Sequence, residues 1–247
     1  MTGGAGDLGS AIAEALLRSG ALVAVGDLRP SRRPAGERFR SRELDLTDGA
    51  AVEDWVRDVA TMWGAPTIAV LAAGTVRSGR LVDTDAASWQ AVIDGCLTSA
   101  FLTSTAVIRA MRHANSGGRI VAIGSWAADA PHPHIGAYTT AKAGLRGLVR
   151  TLALDHARDG ILVNEVAPGV VSAGMSGRLL ASDPALLEQT LDCVPAGHLV
   201  GTRDVVRDVL YLVSPHNRST TGATIVTDGG LGLASQMNPG ARSGRSR

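Results

Sequence analysis

Residues 119–142 read RIVAIGSWAADAPHPHIGAYTTAK, and they combine a strand, a loop and the start of a helix. The apolar run 119–124 predicts a buried strand that ends at Ser125. Further along, Tyr138 and Lys142 stand four residues apart, a spacing that places both side chains on one face of a helix. The stretch therefore predicts a hydroxyl, a phenol and an ammonium group near the carboxyl end of one strand.

These three groups suit proton transfer to or from an alcohol oxygen. A free phenol has a pKa of about 10, and a neighbouring ammonium group favours the phenolate. The phenol of Tyr138 can then act as an acid or a base, while Ser125 can donate a hydrogen bond to a carbonyl oxygen. A tyrosine and a lysine at this spacing are also common on ordinary helix surfaces, so the remainder of the chain decides between the two interpretations.

A glycine-rich turn opens the chain, with the sequence TGGAGDLG at residues 2–9. Ile12 and Leu16 follow at helical spacing, and Gly20 ends the predicted helix. Glycines before a helix allow backbone amides to approach a pyrophosphate at the positive helix end. The next apolar run ends at Asp27, where an acidic residue can bind a ribose hydroxyl in a dinucleotide site. Alone, the glycine-rich turn is a weak signal that is also compatible with a plain turn. Asp27 could be a loop carboxylate, but its position directly after a strand favours the functional interpretation.

Strand and helix patterns then alternate along the whole chain. This alternation predicts an α/β fold, a doubly wound parallel sheet with helices on both faces. Ligands in such sheets bind beyond the carboxyl ends of the strands, where the residues named above are expected. The predicted strands are 21–26, a short one ending at 44, 67–71, 119–124, 161–166 and 223–226, and the predicted helices include 50–63, 86–113 and 203–212.

Composition narrows the class of protein. The chain has 247 residues, 45% of them hydrophobic, and a net charge of +1, which suits one large domain with a full core. Near-neutrality gives no electrostatic argument for binding nucleic acid or an anionic membrane. No uninterrupted apolar run approaches the roughly 20 residues that span a bilayer. We expect residues 1–234 to form a single domain and residues 235–247 a disordered basic tail.

The two cysteines, Cys96 and Cys193, form neither a disulfide framework nor a metal motif. We therefore expect a reducing, cytoplasmic location and no bound metal. His132 and His134 lie between Ser125 and the tyrosine, but they lack metal-ligand spacing and are interpreted as loop residues.

With these motifs in order, the chain resembles the short-chain dehydrogenase/reductase family over about Thr2–Gly232. The resemblance implies a seven-stranded parallel Rossmann sheet and hydride transfer between NAD(H) or NADP(H) and a secondary alcohol or ketone. It also implies a homo-oligomer, a dimer or tetramer built through helix 86–113. The motifs that carry it are Thr2–Gly9, Asp27, Asp45, Ala72–Gly74, Ser125, Tyr138-x-x-x-Lys142, Asn164, Pro168–Gly169 and Asp228–Gly230.

By this resemblance Tyr138 is the acid/base, Lys142 holds the nicotinamide ribose, and Ser125 polarises the substrate oxygen. Asp27 favours NAD over NADP, with Arg29 as the alternative partner of a 2′-phosphate. Segment 171–200 is expected to act as a lid, with Met175 and Trp126 near the substrate, although packing is an equal interpretation for Trp126. The expected cofactor-binding residues are Gly3, Gly6, Asp7, Leu8, Gly9, Asp27, Asp45, Leu46, Ala73, Gly74, Tyr138, Lys142, Pro168, Gly169 and Val171.

Several positions depart from the family pattern. Asp7 stands where the family has glycine, and its carboxylate would oppose a pyrophosphate unless it turned outward. Cys96 replaces an asparagine that supports proton relay, Ala72 replaces another asparagine, and Ala173 replaces a threonine. We therefore expect a working but atypical enzyme. The alternative is a catalytically impaired or truncated Rossmann protein that binds a nucleotide or a partner.

The resemblance also implies a buried strand immediately before Thr2, in the middle of the sheet. Only Met1 precedes Thr2 in this sequence. We therefore expect a sheet without its central strand, caused either by a start placed too late or by a truncated product. The nearly complete motifs downstream favour the late start.

Overall fold

The computed structural model describes residues 1–234 except the side chain of Met175, and the predicted tail 235–247 lies outside the described residues. Strands and helices alternate as the sequence pattern predicts. The strands are β1 (Val23–Asp27), β2 (Phe39–Glu43), β3 (Ile68–Leu71), β4 (Gly118–Ile123), β5 (Ile161–Pro168) and β6 (Thr224–Thr227). The helices are α1 (Asp7–Arg18), α2 (Gly49–Trp63), α3 (Ala86–Ile93), α4 (Ser99–His113), α5 (Gly136–His156), α6 (Gly174–Ser182), α7 (Pro184–Cys193), α8 (Thr202–Val213) and α9 (Leu231–Ala234).

All strand pairs of the described chain are parallel. β1 pairs with β2, and β3, β4, β5 and β6 pair in that order. One core cluster packs α2, α4 and α5 against the sheet, with Trp55, Val107 and Leu145 among its members. A second cluster packs α1 and α8, with Ile12 and Val209 among its members. The predicted α/β doubly wound fold is confirmed.

The sheet is interrupted between β1 and β3. Only residues Met1–Gly3 lie between the carboxyl ends of these strands, and Thr2 forms isolated parallel bridges with Gly26 and Leu71. The N–H of Thr2 donates to the carbonyl of Val70 at 2.9 Å. Towards the amino ends of β1 and β3 the gap opens into a cavity of about 290 Å³ with an apolar lining. Among the described residues, therefore, the central strand is missing, as expected, and six strands stand where the resemblance implies seven.

The Met1 ammonium group lies at the end of this cavity and donates to the carbonyl of Ala24 at 2.6 Å. Burial lowers the pKa of this amino group to about 5. An unfolded amino terminus has a pKa of roughly 7.7–8.0. Between pH 5 and 8 the unfolded chain thus binds a proton that the folded chain does not. The free energy of unfolding consequently falls as the pH is lowered through this window.

The longest helical run joins α3 to α4 through a π-helical turn, Asp94–Thr98. By length and composition this run, Ala86–His113, could cross a membrane, with a mean hydropathy of 1.6 in its most apolar window. Half of that window is buried inside the protein. Part of its apolar surface belongs to the core, where Ala106, Ile108 and Met111 pack against the sheet, whereas Phe101 is exposed.

We predict that a strand-forming segment of about six valine and isoleucine residues, fused before Met1, will fill the gap. It should raise the free energy of unfolding by at least about 2 kcal/mol, because it pairs two open strand edges and buries apolar surface. Chemical denaturation at pH 7.5 measures the change. A glycine/serine extension of equal length is the control, since it also removes the buried terminal amino group.

Both extensions should abolish the fall in stability between pH 8 and pH 5. The apolar extension alone should add stability at every pH. Equal stabilisation by the two extensions would show that strand pairing contributes nothing.

Candidate active site

The carboxyl ends of the parallel strands bring the predicted site residues to one edge of the sheet. Asp27 ends β1, and Ala73 and Gly74 follow β3. Ser125 follows β4, and Pro168 ends β5 beside Gly169. This edge is where a doubly wound sheet binds ligands.

Ser125 is held in a defined orientation as β4 ends. Its backbone is extended, with φ −163° and ψ 148°, and a short 3₁₀ helix, Trp126–Ala128, begins after it. The N–H of Ala127 donates to the Ser125 Oγ at 3.2 Å. Because the hydroxyl oxygen accepts this bond, its own O–H is left to donate elsewhere.

Tyr138 and Lys142 occupy the first two turns of α5, as the spacing predicts. Tyr138 is half-buried and packs beside both Trp126 and Cys96. The Lys142 Nζ lies 5.6 Å from the centre of the Tyr138 ring. It is almost fully buried and donates to the carbonyl of Ile123 at 2.7 Å. An ammonium group has three donors, so two remain for a ligand.

A buried ion pair fixes α5 one turn further on. The Arg146 guanidinium donates to the Glu165 carboxylate of β5 at 2.7 and 3.1 Å, and to the carbonyl of Ser125 at 3.3 Å. It also contacts Asp129. Burial disfavours the Arg146 charge, but the bonds to Glu165 and Asp129 outweigh this and raise the pKa of Arg146 above its ordinary value. Only glycine fits at Gly124, since a Cβ there would meet the Glu165 Oε1 at 1.7 Å.

The glycine turn folds tightly over the start of α1. A Cβ at Gly9 would meet the carbonyl oxygen of Gly3 at 2.1 Å, so close backbone packing demands glycine there. At Gly6, by contrast, the nearest atom to a Cβ would be 3.4 Å away, and the next is the Arg29 guanidinium at 3.8 Å. Gly6 is the N-cap of α1, and no side chain caps it. The first-turn N–H groups beneath this open glycine fit a pyrophosphate.

Asp27 accepts a hydrogen bond from the backbone of the glycine turn. Its Oδ2 accepts from the N–H of Ala5 at 3.0 Å, and its Oδ1 accepts from the N–H of Arg29 at 3.0 Å. The Arg29 Nε lies 3.6 Å from the same Oδ1. A carboxylate has about four acceptor positions, so Asp27 can still accept from ribose hydroxyls.

The side chain of Asp7 reaches from the first turn of α1 to α6. Its Oδ2 accepts from the N–H of Gly174 at 3.1 Å and from the Arg178 Nη1 at 2.8 Å. The Arg32 Nη1 is 3.9 Å from the other oxygen. The carboxylate expected to oppose a pyrophosphate thus has cationic partners.

The remaining predicted cofactor residues line the same edge. The Oδ1 of Asp45 accepts from the backbone N–H and the hydroxyl of Thr47, and these bonds lower the pKa of Asp45. The side chain of Leu46 is buried in the core. Val171 pairs with Val200 in a parallel bridge at the start of the predicted lid.

The predicted substrate residues differ in their surroundings. Trp126 is buried with Val194 and Leu231, and its ring meets His132 edge-on at 6.0 Å. These contacts show that Trp126 packs, and its role near the substrate stays a prediction. Met175 lies in α6, but its side chain is outside the described part of the structure.

Cys96 lies in the π-helical turn with its thiol aimed at the segment after β3. The Sγ donates to the carbonyl of Thr75 at 3.1 Å and accepts from the Thr75 N–H at 3.4 Å. A Cβ at Gly74 would lie 3.6 Å from both the Cys96 Sγ and the Lys142 Nζ. Cys96 and Lys142 therefore approach Gly74 from the same side of the site, and the effect of the thiol on proton relay stays a prediction.

The chain matches a family profile described as enoyl-(acyl carrier protein) reductase over residues 3–232. It is 34% identical to 2-(S)-hydroxypropyl-CoM dehydrogenase 3 of Xanthobacter autotrophicus, across 94% of each chain. It is 34% identical to the 3-oxoacyl-[acyl-carrier-protein] reductase FabG of Escherichia coli, across 94% of this chain and 95% of that protein.

A solved oxidoreductase of Burkholderia thailandensis, titled as a short-chain dehydrogenase/reductase, superposes with a TM-score of 0.81 at 31% identity. The match covers 93% of this chain and 90% of that one. This chain belongs to the short-chain dehydrogenase/reductase family, and it is an oxidoreductase of that family.

Two features of the site were not predicted from the sequence. The pairing of Arg146 with Glu165 joins residues nineteen positions apart, and the contact of Asp7 with Arg178 spans 171 positions. A charged residue in the apolar run 161–166 is the one signal that pointed to a buried partner for Glu165.

We predict that Cys96→Asn will keep or raise kcat/KM, by up to about tenfold. The asparagine Oδ1 and Nδ2 can replace the thiol on the N–H and carbonyl of Thr75 with stronger hydrogen bonds. Cys96→Ala should lower kcat/KM, because it leaves both backbone groups without that partner.

The matched control is Cys193→Asn, which changes the exposed cysteine of α7 and should leave kcat/KM unaltered. A loss of activity in Cys96→Asn with an unchanged melting temperature would assign the thiol a role of its own.

Proposed function

We propose that the protein is an NAD-dependent dehydrogenase/reductase that interconverts a secondary alcohol and a ketone. The observation that supports this most is the placement of Ser125, Tyr138 and Lys142 at the strand edge that also carries the glycine turn. When bound, the nicotinamide cofactor supplies or accepts the hydride. The chain's own residues orient the substrate and move the proton.

Each of the three side chains has a distinct part in this proposal. Ser125 donates its free O–H to the substrate oxygen, since its Oγ already accepts from Ala127. The Tyr138 hydroxyl gives a proton to the carbonyl oxygen in reduction, or takes one from the alcohol in oxidation. Lys142 keeps one N–H on the carbonyl of Ile123 and directs the others to the nicotinamide ribose.

The substrate class rests on the relatives and on the lid. One relative is named for a hydroxypropyl group and another for a 3-oxoacyl group, which are a secondary alcohol and a ketone. We propose the same functional group here, enclosed by residues 171–200, where α6 and α7 project from the end of β5.

The rival function is a catalytically impaired protein that binds a nucleotide or a partner. Its support in the sequence was Asp7, Cys96 and Ala173, and of these the carboxylate of Asp7 is bonded to Gly174 and Arg178. Turnover across a panel of secondary alcohols and ketones separates the two functions, because both bind the dinucleotide.

A homo-oligomer and a cytoplasmic location complete the proposal. Phe101 on α4 and Leu154 on α5 are exposed apolar side chains, with 48% and 82% of their surfaces accessible, and they suit a helical interface. Both cysteines are free thiols, which suits a reducing compartment. A purely monomeric mass in light scattering would contradict the oligomer.

We predict that Tyr138→Phe will lower kcat by about 10²–10⁴-fold, because it removes the transferable proton. The dissociation constant for NAD, measured by tryptophan fluorescence, should stay within about twofold, since the ring remains. Tyr211→Phe is the control, as it changes the chain's other tyrosine, which is 60% exposed on α8. Retention of most activity in Tyr138→Phe would refute the assigned mechanism.

We predict a preference for NAD over NADP, because Asp27 repels a 2′-phosphate and accepts from ribose hydroxyls. Asp27→Ala should reduce the ratio of kcat/KM for NAD to that for NADP. The ratio cancels any damage common to both cofactors, such as loss of the bond to Ala5. Better use of NADP by the unmodified protein would contradict the assignment and point to Arg29.

A further inference from the structure

The contact between Asp7 and α6 spans a long stretch of the chain. Other surface ion pairs also join separate elements, as Arg109 of α4 and Glu53 of α2 do, but those two residues lie 56 positions apart. Asp7 joins the first turn of α1 to residues 167 and 171 positions later in the chain. One carboxylate oxygen accepts both a backbone N–H and a guanidinium N–H from α6. Two donors on one charged oxygen fix direction as well as distance.

The backbone at Gly174 is shaped for this contact. Its φ is +70°, a conformation that residues with a Cβ rarely adopt, yet no atom lies within 4 Å of where a Cβ would stand. Glycine is therefore favoured at this position because the backbone is left-handed, and not because a side chain would be crowded. Gly174 starts α6 and presents its first N–H to the Asp7 carboxylate.

The segment 171–200 is also held at its two ends. Val171 and Val200 form a parallel bridge, and the N–H of Ala196 donates to the carbonyl of Gly229 at 3.0 Å. Between these ends Leu180 is buried in α6, while α7 contributes no buried residue. The carboxylate of Asp7 adds a charged attachment between α6 and the first turn of α1.

The charge of Asp7 has a second consequence at the same place. The carboxylate stands in the first turn of α1, whose N–H groups suit a phosphate. An uncompensated negative charge there would repel a pyrophosphate. Arg178, at 2.8 Å, supplies the nearer compensating charge from α6, and Arg32 lies 3.9 Å from the other carboxylate oxygen.

We propose that Asp7 and Arg178 form a latch that holds α6 over the glycine turn, and that Arg178 neutralises Asp7 so that the turn can accept a dinucleotide. The second half of this inference rests on the proposed function, while the first half does not. Arg178 is a positioning residue in this account, because it acts on the cofactor through Asp7. The latch gives the lid a fixed attachment that the sequence pattern of the family lacks, since the family has glycine at this position.

A double-mutant cycle with Asp7→Asn, Arg178→Gln and their combination tests the proposal. Hydrogen exchange of the protein without added dinucleotide reports the latch. Exchange of amides in α6 should become about three- to tenfold faster in both single variants, and no faster in the double variant than in either single one. Arg18→Gln removes a charge from the opposite end of α1, and exchange in α6 should not respond to it.

Dissociation constants for NAD, measured by calorimetry, test whether Arg178 neutralises the charge of Asp7. Arg178→Gln should weaken binding by about three- to tenfold at low salt, and less at high salt, because it exposes the Asp7 charge. In the Asp7→Asn background the same change should alter binding by less than about twofold. Asp7→Asn alone should not weaken binding.

Two results would overturn the proposal. If the rate of amide exchange in α6 stayed unchanged in both single variants, the proposed latch would be contradicted. An equal loss of NAD affinity from Arg178→Gln in both backgrounds would show that Arg178 meets the cofactor directly. A protein that bound no dinucleotide at all would contradict the proposed function and the neutralisation, while the exchange result would still decide the latch.

Discussion

The buried pair of Arg146 and Glu165 is the constraint on which the arrangement of the site depends. Glu165 is fully buried in the middle of β5, and an unpaired carboxylate there would strongly destabilise the fold. Arg146 makes that carboxylate acceptable and at the same time ties α5 to β5 and to the carbonyl of Ser125. Breaking such a pair by removing one partner typically costs about 3–5 kcal/mol.

The geometry of the site follows from that attachment. Tyr138, Lys142 and Arg146 recur every four residues, so one face of α5 carries all three. Lys142 donates to the carbonyl of Ile123, two residues before the serine, and Arg146 donates to the carbonyl of Ser125 itself. The serine and the tyrosine are therefore held by two charged contacts that bracket the end of β4. A catalytic site needs this kind of fixed geometry, because small displacements reduce the rate.

A large part of the fold could be predicted from the sequence because its patterns are local. The spacing of apolar residues predicted the bounds of β4, β5, α2 and α8 to within a few residues. A parallel sheet then brings the carboxyl ends of its strands to one edge. The absence of a strand between β1 and β3, for the described residues, was also expected, because the glycine turn begins at Thr2.

Long-range side-chain partners could not be predicted in this way. Asp7 was expected to weaken the cofactor site unless its carboxylate turned outward. Its partner Arg178 could not be foreseen, because that residue lies in a helix whose position no local pattern specifies. The sequence could not decide whether Trp126 lines the substrate pocket or packs in the core. The structure buries it against Val194 and Leu231, which come from distant parts of the chain. Such contacts are set by tertiary packing, which propensity and periodicity do not encode.

The central claim is that this site transfers a hydride between a nicotinamide ring and the carbon of an alcohol. The most direct test uses NADH that carries deuterium on the transferable position of its ring, with a panel of ketones that includes 3-oxoacyl thioesters. The account predicts that mass spectrometry will find deuterium on the new carbinol carbon of at least one product. Saturating NADH binding without deuterium in any product, across the whole panel, would contradict it.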